Sequence, residues 1–176
     1  MVKAAADAVR AKGPDGVGVA EIMRDAGLTH GGFYAHFASK DALVVAALQE
    51  AFGQSARRFA KLTAGMAPEQ SLAAYVDAYV SMEHRANTTG GCPIATLSSD
   101  LPRQSREVRE AYEAGVRGLI SRIETWLPAD RKAIAASLLA EMAGAVALSR
   151  AMSDDEGARR LLAEARHSLK SRMGVA

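Results

Sequence analysis

Along the chain, apolar residues recur at three- and four-residue spacing between short breaks rich in Gly, Pro, Ser and Thr, and no stretch alternates with a period of two. That pattern predicts helices and no sheet. Val2–Lys12 reads as a short helix stopped by Gly13 and Pro14, and "PDGVG" as a turn. Val19–Ala26 reads as a second helix ended by Gly27, the residue best able to take the left-handed conformation that closes helices. Thr29 can cap a third helix reaching Phe37, with Phe33 and Phe37 four residues apart on one face. Ser39 can cap a fourth, beginning at Lys40 and passing Phe52 and Phe59 to Leu62. Beyond "TAGMAPEQS" the spacing of Leu72, Tyr75, Val76, Tyr79 and Met82 predicts one helix over Glu69–Arg85. "ANTTGGCPIA" is a loop, a brief helical piece follows Pro93, and three helices are expected over Asp100–Leu127, Pro128–Met152 and Ala158–Arg172. The fold class is therefore all-α.

Composition narrows the function classes. The chain has 176 residues, 49% hydrophobic and 24% charged, enough to bury a core in one domain or two small ones. A net charge of +2 is too small to argue for nucleic acid or a membrane surface, so any basic footprint must be local. The single cysteine, Cys92, excludes an internal disulfide and a Cys-rich zinc site. The longest apolar region, Leu138 to Leu148, is interrupted by Glu141, and the start lacks a secretory apolar stretch, so a cytoplasmic protein without a membrane partner is expected. His30, His36, His84 and His167 are scattered with no H-E-x-x-H spacing, and no glycine-rich phosphate loop follows a strand. No enzyme activity, metal or cofactor is expected.

The chemistry-bearing region is the stretch "AGLTHGGFYAHFASKDAL", Ala26 to Leu43. Two short helices joined by Gly27 and Leu28 have the form of a helix-turn-helix, whose second helix lies in the DNA major groove and directs its first residues at base edges. Gly31 and Gly32 then have a reason: each costs about 1 kcal/mol in a helix interior, and their bareness lets the helix approach a duplex closely. Phe33 and Phe37 face inward, while Thr29, His30, Tyr34 and His36 face outward. Against this, residues 1–50 carry five Lys/Arg and six Asp/Glu, a weakly charged surface for a DNA binder.

The run "VGVAEIMRDAGLTHGGFYAHFASKDALVVAAL" resembles the DNA-binding head of the tetracycline-repressor family of bacterial transcription regulators. The resemblance covers about the first third of the chain. It implies an N-terminal three-helix helix-turn-helix head, 1–46, and a larger helical body, 47–176, that binds a small effector and dimerises. It also implies that Thr29, His30, Gly31 and Gly32 read base edges, and that Tyr34, His36 and Lys40 touch phosphate. The expected function is a ligand-responsive regulator, a repressor, binding double-stranded operator DNA as a homodimer through Thr29–Phe37 and released by a small molecule.

For the body, residue patterns suggest two surfaces. Leu138, Met142 and Val146, beside the small Gly144, and Leu162, Ala165 and Leu169 on the last helix, are expected to form a four-helix dimer seam; the same faces could instead pack internally. Tyr75, Tyr79, Met82, Cys92, Tyr112, Val116, Ile123 and Trp126 are expected to line an apolar effector pocket, or to be ordinary core. Glu83 and His84 could orient a polar group or lie exposed. Cys92 in "GGCPIA" leaves an alternative open, a redox-sensing regulator triggered through its thiol, against a small buried apolar residue.

Overall fold

The computed structural model describes residues 1–25, Gly27 and 30–174. Among them the regular structure is helical: α1 Val2–Lys12, α2 Val19–Asp25, a 3₁₀ segment His30–Ala35, α3 Lys40–Leu62, α4 Pro68–Tyr79, α5 Met82–Ala86, α6 Ile94–Leu97, α7 Arg106–Glu124, α8 Ala135–Ala151 and α9 Asp155–Met173. The chain forms two compact units, residues Met1–Ser55 with Thr88–Val116, and Ala56–Asn87 with Arg117–Ala176.

Several boundaries differ from the sequence expectation, each for a local reason. The segment expected as an α-helix to Phe37 is a six-residue 3₁₀ helix; two adjacent glycines disfavour the α form, and short 3₁₀ pieces serve as connectors. The helix expected over Glu69–Arg85 breaks at Val80 and Ser81. Ser81 is extended and its hydroxyl accepts the backbone N–H of His84, starting α5 afresh. The expected helix Asp100–Leu127 opens with a separate 3₁₀ turn, Leu101–Arg103, because Gln104 is extended. α9 begins three residues earlier than expected, where the Asp154 carboxylate accepts from the N–H groups of Glu156 and Gly157.

The unit holding the N-terminal helices is built round Ala5, Ala6 and Val9 of α1, Ile22 and Met23 of α2, Phe33, and Leu43, Val44, Ala47, Leu48 and Ala51 of α3. Leu97, Leu101 and Val108 complete this core, so residues 88–116 pack with the N-terminal helices. Gly27 has φ +69°, the left-handed geometry expected of the α2 stop. Gly115 answers a different need: a Cβ there would stand 2.3 Å from the Phe52 ring, so only glycine lets α7 lie this close to α3. Phe52 also meets Tyr112 edge-on at 5.7 Å.

In the second unit α8 packs on α9, α4 and α5. Its Leu138, Leu139, Met142, Ala143, Ala145 and Val146 are buried against their own chain. Three arginines occupy carbonyls left open at helix C-termini. Arg166 donates to Val80 O at 2.6 Å, Arg150 to His84 O at 2.8 Å and Asn87 O at 3.2 Å, and Arg85 to Ser149 O at 2.8 Å and Met152 O at 2.9 Å. The helical run 129–151 is long and apolar enough to cross a membrane by length and composition alone. Its buried side chains are core packing, however, and 44% of its most apolar window lies inside the chain.

Candidate nucleic-acid interface and effector cavity

The 3₁₀ segment is anchored from below and bare above. Phe33 is 1% exposed within the head core and stacks on Phe37 with centroids 5.9 Å apart. The Phe33 carbonyl accepts the N–H groups of His36 and Phe37, closing the turn. On the outer side Tyr34 is 70% exposed, its ring meeting Phe33 edge-on. His36 is exposed, and Gly32 is half-buried. Lys40, at the first turn of α3, donates to Asp15 O at 3.3 Å, and Ser39 Oγ caps the helix by accepting from Ala42 N–H. A phosphate near Lys40 would meet both its ammonium and the N-terminal end of a 23-residue helix. His30 and Gly31 belong to the segment, but their side-chain environment lies outside the described residues, as does Thr29 altogether.

The residues expected to line the effector pocket are divided between the two units. Tyr75, Tyr79 and Ile123 are 0% exposed in the second unit, where Tyr75 meets Phe59 at 4.3 Å and Trp126 at 5.3 Å. Met82 is half-buried at the start of α5. Cys92, Tyr112 and Val116 belong to the other unit. There the Tyr112 hydroxyl lies 2.6 Å from Ser98 Oγ, and burial pushes its pKa up. Cys92 is fully buried, the position of a small apolar filler.

The second unit does hold a cavity, of about 210 Å³, lined by Arg58, Phe59, Leu62, Ala78, Glu83, His84 and Asn87. Its apolar surfaces come from α3 and α4, its polar groups from Arg58 and from α5 and the residue after it. Tyr75 and Tyr79 stand behind Phe59 as its packing partners rather than as lining. His84 is 5% exposed, with Nδ1 2.6 Å from Tyr79 O and its ring edge-on to Tyr79 at 4.7 Å. Burial drives its pKa down to about 4, the Arg150 and Arg58 charges push the same way, and the bond to Tyr79 O opposes them. The imidazole is therefore neutral at pH 7, with Nδ1–H donating to the carbonyl. Trp126 lines a separate depression of about 350 Å³ with Glu69, Leu72, Pro128, Asp130, Arg131, Met173 and Gly174.

The expected dimer residues also need correction. Leu138, Met142, Val146, Leu162 and Leu169 are at most 1% exposed in the single chain, so they have no surface left to offer. Gly144 and Ala165 are half-buried. The face of α8 that remains exposed is Ala136, Ser137, Ala140, Ala147, Leu148 and Ala151, with Leu148 62% exposed. Added atoms at Gly144 would meet nothing within 4 Å. Small apolar side chains thus leave an uncharged strip on which another helix can lie closely.

Exposed Tyr34 and His36 on the turn that follows α2, and a second helical unit holding a cavity, are the parts of a helix-turn-helix regulator. The pattern of bacterial regulatory proteins of the tetR family matches residues 1–47, and that of the tetracyclin repressor-like C-terminal domain matches residues 68–165. The chain belongs to the tetracycline-repressor family, whose members are DNA-binding transcription regulators and not enzymes. It is 28% identical over 112 residues to the HTH-type transcriptional repressor NemR of Escherichia coli K12, a match spanning 62% of this chain and 56% of that relative. A TetR transcriptional regulator from Chloroflexus aurantiacus superposes with a TM-score of 0.78 at 29% identity, over 97% of this chain and 90% of that one. E. coli NemR in its reduced form shares the fold, with a TM-score of 0.79 at 22% identity over 97% and 95% of the two chains.

Proposed function

We propose that this regulator is a repressor that grips operator DNA as a homodimer and is released by a small molecule held in the cavity of its second unit. The observation that carries the reading is the head surface: Tyr34 and His36 are exposed on a turn whose Phe33 is locked in the core, and Lys40 follows at the first turn of α3. Aromatic, imidazole and ammonium groups at the start of a helix suit phosphate oxygens, while Gly31 and Gly32, which add no side chain, and the adjacent Thr29 and His30 suit base edges. Two copies reading successive major grooves need their 3₁₀ segments about 34–36 Å apart. The uncharged outer strip of α8, centred on Ala140, Gly144 and Leu148, supports the second copy as its partner.

A mobility shift against the DNA flanking the chain's own gene tests this reading. A specific, salt-sensitive complex is expected; its absence across 50 to 200 mM salt, on the order of the range in which phosphate contacts are felt, refutes it. Substitution at His30 or Gly32 should change sequence preference. The burial of Cys92 supports a packing role over the redox alternative, so peroxide should release operator equally from the parent protein and from Cys92→Ser.

A further inference from the structure

Arg10 lies on the polar side of α1 by spacing, yet it is 1% exposed. Its guanidinium holds three acceptors within the head unit: Nε donates to Thr89 O, and Nη2 to Asp7 Oδ1 at 2.5 Å and to Gln54 Oε1 at 2.7 Å. Asp7 is on α1 itself, but the other two sit where the chain passes between units. Gln54 immediately precedes the passage at Ser55–Ala56, and Thr89 follows the passage at Asn87–Thr88 by one residue. On the far side of each passage are cavity residues. Arg58 is four residues beyond Gln54 on the same face of the continuous helix α3. Asn87 is two residues before Thr89.

We propose that Arg10 is the positioning residue that couples the cavity to the DNA-binding head: one buried side chain holds both covalent lines leading from the cavity lining, through Gln54 on α3 and through Thr89 on the loop after α5. This rests on the regulator reading above. The guanidinium is a rigid planar fork, so it satisfies both acceptors only in one register of α3 against that loop. A cavity occupant that moves Arg58 or Asn87 changes the register, and a buried cation does not tolerate a lost acceptor gradually. The outcome is a switch in α1 and the head rather than an elastic strain.

The test is a cycle on the full-length protein, with Ala78→Trp filling the cavity in place of the unidentified effector. Operator affinity is measured by fluorescence anisotropy for the parent, A78W, R10Q and A78W/R10Q, with R10K as a second, charge-preserving background that lacks the fork. A78W is expected to weaken operator binding about tenfold with Arg10 present, and less than about twofold in either Arg10 variant. Amide hydrogen exchange in residues 2–12 and 86–92 should rise on A78W only when Arg10 is present. Unchanged affinity and exchange in A78W, or an equal penalty in all three backgrounds, overturns the proposal. If the parent binds no operator specifically, the regulator reading fails instead, and the exchange arm alone decides the coupling.

Discussion

Protonating His84 should destabilise the second unit as the pH falls below the ordinary histidine range. Its folded pKa of about 4 lies well below the ordinary histidine value of 6.5 because the ring is buried, so the native state prefers the neutral form. The unfolded chain takes up the proton near pH 6.5 and the folded chain only near pH 4. The stability this group supports is complete above pH 6.5 and is lost as the pH falls through the window down to about 4. At 1.36 kcal/mol per unit, the loss across that window is about 3 kcal/mol. A loss of that size is a large part of a domain's net stability, on the order of 5–15 kcal/mol. The assay is urea unfolding followed by Trp126 fluorescence at fixed protein concentration, from pH 7.5 to 4.5, for the parent and for His84→Gln. At pH 7.5 the variant should be the weaker, because it loses the ring packed on Tyr79. By pH 4.5 the gap should narrow by about 2–3 kcal/mol, since only the parent has a buried imidazole to charge. Parallel pH profiles would refute the burial argument.

Other outcomes follow from single contacts. Gly115→Ala drives a methyl into the Phe52 ring and should cost about 1–3 kcal/mol in thermal unfolding, with Phe52→Leu restoring part of it. Asp154→Ala removes the cap that accepts from Glu156 and Gly157 and should lower stability by about 1 kcal/mol, whereas Asp154→Asn should cost little. Leu148→Glu puts a charge on the outer strip of α8 and should shift sedimentation toward monomer without lowering helix content.

How much of this was legible beforehand depends on how local each cause is. Gly27, Ser39 and the Phe33–Phe37 pair act within one turn of the chain, so α1, α2 and the start of α3 could be read from local signals, whereas the 3₁₀ form of His30–Ala35 and the packing of residues 88–116 into the same unit could not. The break at Ser81 could not, because Tyr79 and Met82 keep helical spacing across it; the signal that existed was a serine able to cap three residues before His84. α8 misled for a different reason. It is apolar all round, so periodicity cannot say whether Leu138, Met142 and Val146 or Ala140, Ala147 and Leu148 turn inward; packing on α9 and α4 decides. The cavity draws on α3, α4 and α5, brought together only by tertiary packing, and its His84 had nothing in the sequence to mark it as buried. Arg10 is the extreme case, a charged residue whose two distant acceptors are 44 and 79 positions away.

The central claim is that the exposed side of the His30–Ala35 turn and the start of α3 grip a duplex through its phosphates. The most direct measurement is the salt dependence of operator affinity for the parent, Tyr34→Ala and Lys40→Ala. Lys40→Ala should weaken specific and non-specific DNA alike and lower the log–log slope by about 1; Tyr34→Ala should weaken both with a nearly unchanged slope. Parent-like affinities and slopes in both variants would contradict the account.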